Sequence, residues 1–288
     1  EAPVAVAADA TPGTIRAAFR TGCMAGPLWT TCGRRLDETV LQGLAHVLWT
    51  GDGVKPLLAE SWDTPDGGQT WVFNLRQGVK WHDGEDFNAD DVVFSYNLFA
   101  DPVVASVYAA KLIDVKGYQE FRDGAADSLA GVTKIDDYTV QIELVGPRPL
   151  WVNLLNISIS ILPEHILGGV AKDALQQDPY WTENRVGTGP FKWAKYVPDQ
   201  YVEVVRNDDY FLGAPKAERI IYQIYADIPS IMNALEAQEL DIISYEGGGV
   251  PVSELDRMMA LDYLTVLPDM DAGLPTYLQF NHNLEWLQ

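Results

Sequence analysis

The sequence predicts an α/β protein built on mixed sheets, and three observations carry that prediction. In one set of runs apolar residues recur at every second position, as in Trp71, Phe73 and Leu75 or Tyr138, Val140 and Ile142, the period of a strand with one buried face. Between such runs the spacing changes to three and four, as in Val92, Tyr96 and Phe99 or Ile231, Ala234 and Leu235, which places these residues on one face of a helix. The 288 residues, 47% of them hydrophobic, suffice for a sizeable core in one or two domains.

Taken in order, Thr14 to Phe19 reads as a first strand, followed by a loop holding Cys23 and Cys32. Leu36, Val40, Leu44, Val47 and Leu48 then predict a helix over Leu36 to Trp49, ending near Gly51. The strand around Trp71 is bracketed by Asp66-Gly67-Gly68 and Gln77-Gly78, and a short run from Val79 to His82 ends at the turn dipeptide Asp83-Gly84. Asn88 is positioned to cap a helix whose first turn carries Asp90 and Asp91, where the helix dipole favours negative charge. Ala100-Asp101-Pro102 stops that helix, and Ala105 to Ile113 predicts another. A hairpin from Val132 to Leu144 turns at Asp136-Asp137 and is closed by Pro147 and Pro149; Pro163 to Leu167 opens a short helix. Strands follow at Lys192 to Tyr196, Tyr201 to Asn207 and Arg219 to Tyr225. After them come a helix with Pro229 in its first turn and a strand candidate at Leu240 to Ser244. Leu264 to Leu267 and Thr276 to Phe280 read as paired strands.

Forty-one acidic residues against 20 Lys and Arg give a net charge of -21, which repels nucleic acid and anionic lipid. No run reaches the eighteen or so apolar residues of a membrane helix. Glu1 to Ala10 lacks the basic start and apolar centre of a signal peptide, so any export signal lies outside this sequence. The two cysteines lie nine positions apart beside Gly26, Pro27 and Gly33. A disulfide is the economical reading, adding about 2 to 3 kcal/mol and fitting an oxidising compartment, with two unpaired thiols as the alternative. His46, His82, His165 and His282 show no metal spacing, no nearby histidine completes a ligand set with the cysteines, and no GxSxG elbow is present. Neighbouring His82 and Asp83 point to opposite faces of an extended chain and read as a turn feature, not an acid-base pair. Gly247-Gly248-Gly249 lacks the Lys-Ser or Lys-Thr of a phosphate loop and sits beside Glu246. Asp90 and Asp91 are explained by capping better than as a catalytic pair. These residues predict no catalytic group, metal site or cofactor.

One stretch is more specific than any short motif. The order Leu-Ala-Glu-Ser-Trp (58–62), Gly-Gly-Gln-Thr-Trp-Val-Phe-Asn-Leu-Arg (67–76), Gly-Val-Lys-Trp-His-Asp-Gly (78–84) and Phe-Asn-Ala-Asp-Asp-Val-Val-Phe-Ser-Tyr (87–96) resembles the signature of the peptide and nickel class of ABC-transporter solute-binding proteins, family 5. The signature reads as scaffold. Ala-Asp-Pro (100–102) followed by Ala-Ser-Val-Tyr-Ala-Ala-Lys-Leu (105–112) resembles the oligopeptide- and dipeptide-binding branch, and Gly187-Thr188-Gly189-Pro190-Phe191 resembles the turn where that family's chain returns from an inserted subdomain. The resemblance implies the two-lobed periplasmic-binding-protein-like fold of class II, cluster C, here mainly its first lobe. Residues 12–37 and 185–262 would form the main sheet, 38–184 an inserted α+β subdomain, and 263–288 the hinge and start of a second lobe. In the family some two hundred or more residues follow that point, so the resemblance makes this chain about half of a clamshell. It has a glycine where Gln238 stands, which implies a differently shaped helix-to-strand turn here.

It also implies an extracytoplasmic receptor that binds a peptide by hinge closure and delivers it, unaltered, to the permease subunits of an ABC importer. Such a receptor acts as a monomer, in the periplasm or on the outer cell surface, with lipid anchoring before processing left open. The ligand residues carried over are Leu28, Trp29, Thr30 and Thr31; Tyr108; and Tyr245, Glu246 and Gly247. Glu246 would meet a ligand ammonium, glycines would admit a close backbone, and Trp29 would supply a stacking surface where some oligopeptide binders carry an acid. That departure leaves open an oligosaccharide, a nickel or other metal chelate, or another small solute; a hydrolase using scattered carboxylates is the rival of another class.

Overall fold

In the computed structural model, residues 13–20, 39–48, 53–152, 159–243 and 249–265 are described. Strands β1 (Thr14–Arg20), β8 (Phe191–Val197), β9 (Tyr201–Arg206), β10 (Arg219–Tyr225) and β11 (Ile242–Ile243) form a mixed sheet in the order β11-β1-β10-β9-β8. Strand β1 runs parallel to both neighbours, whereas β8, β9 and β10 form an antiparallel meander. A parallel link needs a crossover, and helix α4 (Ile228–Glu236) supplies it between β10 and β11. Asp227 caps that helix by accepting the Ser230 N–H, and Ile231, Met232, Ala234 and Leu235 are buried with Ala18 and Leu240 on one sheet face. Alternate residues serve the opposite face, where Val40, Phe191, Trp193, Val202 and Val204 form a second core.

A separate four-stranded antiparallel sheet, β4 (Ala59–Asp63), β5 (Thr70–Leu75), β6 (Val132–Asp136) and β7 (Thr139–Glu143), has the order β4-β5-β7-β6. Its inner face presents Trp71, Phe73, Leu75, Val140 and Ile142 to the largest core, shared with Val92, Tyr96 and Phe99 of helix α1 (Ala89–Ala100). Burying each such side chain contributes roughly 1.5 to 3 kcal/mol. Asn88 and Asp91 complete a capping box at the start of α1. The buried Asp91 carboxylate also accepts Trp81 Nε1 at 3.2 Å and the Glu164 N–H at 3.0 Å, and Ser95 Oγ accepts the Leu162 N–H at 2.8 Å. The signature's polar residues therefore fasten α1 to the short helix α3 (Glu164–Leu167), with α2 (Tyr118–Arg122) on the intervening chain. Burial raises the Asp91 pKa, against the hydrogen bonds that hold its charged form.

Four expectations are corrected. Within the described part of Leu36 to Trp49 only residues 39 and 40 are helical; Ala45–Leu48 is strand β2, paired with β3 (Gly53–Pro56). A helix would need the carbonyls of residues 40 to 44 for its own N–H groups, but distant chain takes them. Val40 O accepts Gly189 N at 2.9 Å, Gln42 O accepts Ile161 N at 2.9 Å, and Leu44 O accepts Ala59 N at 2.8 Å. The helix expected over Ala105 to Ile113 is a single 3₁₀ turn, Ala109–Leu112. The Asp101 carboxylate accepts the Val103 and Val104 N–H groups and Ala105 adopts φ 53°, so the preceding chain is not helical. Val79 to His82 keeps only an isolated bridge, Lys80 to Asp86, across a tight turn in which Gly84 has φ 100°. Of the strand expected over Leu240 to Ser244, Ile242–Ile243 forms β11 and Leu240 packs instead in the core beneath α4; Ser244 lies outside the described residues. Residues 266–288, with the expected strand at Thr276 to Phe280, also lie outside them.

The turn after α4 keeps the shape a glycine would give it. Gln238 adopts φ 58°, its N–H bonds to Leu235 O at 2.9 Å, and the Glu239 N–H reaches Ala234 O at 2.8 Å, a Schellman closure.

Candidate ligand-binding edge

The five-stranded sheet brings three strand ends together. Because β1, β10 and β11 are parallel, their carboxyl ends share one edge: Arg20 stands opposite Tyr225, and Ala18 opposite Ile243. Neighbouring strands lie about 4.8 Å apart, so the segments that follow them start side by side. The chain after β1 carries Cys23, Leu28, Trp29, Thr30, Thr31 and Cys32, and the chain after β11 carries Tyr245, Glu246 and Gly247. All of these lie outside the described residues, the cysteine pair included. In open α/β sheets ligands bind in the crevice beyond the carboxyl ends of parallel strands, where connections diverge to opposite sides.

The third strand end, Tyr225, leads into the N-terminus of α4 through Asp227, whose pKa its bonds to Ser230 hold low. Burial pushes the Tyr225 hydroxyl up to about 12, with Glu239 adding to the shift and Arg16 opposing it. Beside this helix end a hollow of about 190 Å³ is lined by Ile228, Pro229, Met232 and Pro251, with Arg257 held by Glu236 and Glu254. At the far end of β1, the guanidinium of Arg16 bonds both oxygens of Asp241, which holds that carboxyl below its usual range.

Tyr108 belongs to the other body. It is half-buried against the large core of the four-stranded sheet, and its N–H bonds to Ser106 Oγ at 3.1 Å. Its loop is held firmly: the buried Asp101 carboxylate pairs with Lys172, and Arg122 donates to the Ala100 and Asp101 carbonyls. Just before Tyr108 in the chain, Val103 and Val107 are 59% and 56% exposed. The three expected ligand segments thus issue from two separate cores. The exposed Val107 carried no sequence signal, since an apolar residue in a predicted helix reads as core.

A larger depression, about 500 Å³, lies on the outer face of the four-stranded sheet and is lined by none of the predicted site residues. Its floor is one cross-strand row, Ser61, Asn74 and Thr139, and its wall includes Glu60, Asp136 and Asp137. Among the described residues no group of three or more His, Cys, Asp or Glu is arranged to hold a metal ion, and no helix is long and apolar enough to cross a membrane.

The sequence matches the family described as bacterial extracellular solute-binding proteins, family 5 Middle, over residues 53–288. The chain belongs to that family. This solute-binding chain is 33% identical over 227 residues to a Brucella ovis protein that bears the name of an ABC transporter peptide-binding protein, covering 79% of this chain and 39% of the relative. It is 30% identical over 232 residues to the oligopeptide-binding protein AppA of Bacillus subtilis, covering 81% and 39%. The crystal structure of AppA in complex with a nonapeptide superposes with a TM-score of 0.74 at 25% identity, over 86% of this chain and 46% of AppA. NikZ from Campylobacter jejuni in complex with Ni(L-His) gives 0.73 at 26% identity, over 88% and 46%. The solute-binding chain spans about two fifths of the length of the curated relatives it matches. The family and the fold expected from the signature are both borne out; the family is one of substrate-binding proteins of transport systems.

Proposed function

We propose that this chain supplies the first lobe of a receptor that captures a peptide and hands it, unaltered, to the permease of an ABC importer outside the cytoplasmic membrane. The observation that supports the reading is the shared edge of β1, β10 and β11, from which the chain carrying two of the three expected ligand segments departs. The main sheet (12–37 and 185–262) and the inserted subdomain (38–184) divide the lobe, and 263–288 leads into a second lobe that closes over the ligand. Leu28, Trp29, Thr30 and Thr31 form one wall, braced by a Cys23–Cys32 disulfide, and Tyr108 forms another. Tyr245, Glu246 and Gly247 lie at the floor, where Glu246 meets the peptide ammonium. Strand-like main-chain bonds fix an extended ligand without regard to its side chains. No covalent step is involved, and the receptor works as a monomer without a cofactor.

Calorimetry with panels of peptides, oligosaccharides and nickel–histidine, followed by mass spectrometry of the recovered ligand, tests this. Saturable peptide binding with the peptide recovered intact is expected. Binding of sugar or nickel–histidine alone overturns the ligand assignment, and cleaved peptide overturns the receptor reading. Glu246→Gln should weaken binding of peptides with a free amino terminus about tenfold and leave N-acetylated peptides unchanged, consistent with about 1.4 kcal/mol for a charge-assisted contact; equal affinities remove that role from Glu246.

A further inference from the structure

The two sheet bodies meet at a partly buried imidazole that the family signature contains but that plays no part in the candidate site. His82 sits in the tight turn whose neighbours Val79, Trp81 and Phe87 belong to the large core. Its ring reaches the strap 187–189, which runs directly into β8 of the five-stranded sheet. His82 Nε2 lies 2.9 Å from Gly189 O, and the Gly187 N–H points to Nδ1 at 3.1 Å. A carbonyl can only accept and an amide N–H can only donate, so the ring is the neutral tautomer with its proton on Nε2. The main chain adds a third bond, His82 N–H to Gly187 O at 2.8 Å.

The strap has no room to adjust. A Cβ on Gly187 would stand 1.8 Å from Val40 O, and one on Gly189 would stand 2.5 Å from Thr39 O. Gly189 N–H is already given to Val40 O, Gly189 O also accepts Asn207 Nδ2 at 3.1 Å, and residues 187–189 are buried. Placing a second proton on the ring would set N–H against the N–H of buried Gly187. The charged groups facing the ring are Lys192 on β8, which disfavours a second positive charge, and Asp83 in the turn, which favours it but is bonded to His165 at 2.9 Å. Residues 39–44, packed on the other side of the strap, bring no charged side chain, and Asn207 at the end of β9 is neutral.

We propose that His82 is an acid-released latch: neutral, it locks the 79–87 turn onto the 187–189 strap and so couples the four-stranded unit to the five-stranded sheet, and protonation opens that junction. Burial, with Lys192 adding to it, pushes the ring's pKa down from its ordinary 6.5 to about 4. The folded form therefore resists a proton that the unfolded chain accepts, so the latch is at full strength above about pH 6.5 and is lost as pH falls toward 4.

The test follows the imidazole nitrogens of His82 and the amide protection of Gly187 and Gly189 by NMR in the wild-type protein from pH 7.5 to 3.5. In parallel, the thermal midpoint of wild type and His82→Gln is measured across the same range. A glutamine offers an NH₂ donor and a carbonyl acceptor and does not titrate. The proposal expects the ring to hold its Nε2–H tautomer below pH 5.5 and protonate near 4. Glycine protection, corrected for intrinsic exchange, should drop at least tenfold in step with it, and the midpoint of His82→Gln should depend less on pH than that of wild type. A ring that titrates near 6.5, glycine amides that stay protected through its protonation, or equal pH slopes for the two proteins would each overturn it. If His82→Gln does not fold, the two wild-type NMR readouts decide alone.

Discussion

Replacing Gln238 with glycine should stabilise the protein, against the usual trend of mutations. At this position the backbone adopts φ 58°, a conformation that an L-residue with a Cβ holds at a cost of about 1 to 2 kcal/mol. The Schellman bonds around it do not involve the side chain, which is exposed, so truncation removes no contact. Glycine recovers the strain but enlarges the conformational freedom of the unfolded chain, which costs back about 0.5 to 1 kcal/mol. The net gain spans about 0 to 1.5 kcal/mol and centres on about 0.75, or about 1.5 to 3 °C in melting temperature for a chain of this size. Gln238→Ala is the control: it keeps the Cβ and the strain and should change stability by less than about 0.3 kcal/mol. Urea unfolding at unchanged slope measures both. A Gln238→Gly variant no more stable than wild type, or an alanine variant stabilised equally, would show that the left-handed turn is not the source of strain.

Gly187→Ala should be among the most damaging single changes, costing more than about 3 kcal/mol, because the new methyl would overlap Val40 O; Gly146→Ala, where a Cβ meets nothing, should stay within about 0.5 kcal/mol on the same urea curve. The Arg16–Asp241 pair depresses the carboxyl's pKa in the folded chain, so its contribution is present above about pH 4 and is lost as pH falls through the lowered folded-state pKa; Asp241→Asn should be destabilised relative to wild type at pH 6, with the gap narrowing as pH falls below about 4 in thermal melts. Reductant should lower the melting temperature if Cys23 and Cys32 are bridged, and identical melts with and without dithiothreitol would remove the disulfide.

What the sequence discloses depends on how far apart the partners lie. The β5 strand, the Asn88 cap and the α1 face were readable because each is decided within about a dozen residues, by alternation, a capping box and helical spacing. The helix expected over Leu36 to Trp49 failed for the opposite reason: the carbonyls that would have closed it are taken by Ile161 and Gly189, far along the chain. No local period records that competition. The Ala105 to Ile113 helix gave way where the Asp101 carboxylate holds the Val103 and Val104 N–H groups and Ala105 turns left-handed, so that only Ala109–Leu112 is helical. Strand β1 was legible as a strand but not as the centre of a parallel trio, since its partners β10 and β11 lie some two hundred residues away. Of the candidate site, the segments came from resemblance alone. The sheet adds a common edge for the ends of β1 and β11, while Tyr108 packs against a different core.

This uneven legibility has a physical cause if the proposed function holds. A receptor that grips a peptide by its main chain recruits N–H and C=O groups, which every residue carries, so its floor demands little beyond small side chains and one orienting charge. The scaffold that holds the walls apart is the reverse case. Trp81 needs Asp91, Asp91 needs the Asn88 and Glu164 amides, and Gly187 needs a neutral ring at His82, so each of these positions admits few alternatives. Strict residue requirements therefore gather where the two sheet bodies are fastened, and loose ones where the ligand would lie. A forty-residue signature that falls on buried fasteners is what such a division of labour leaves behind, and it makes the junction around His82 and Gly187, not the binding edge, the place where single substitutions should do most harm.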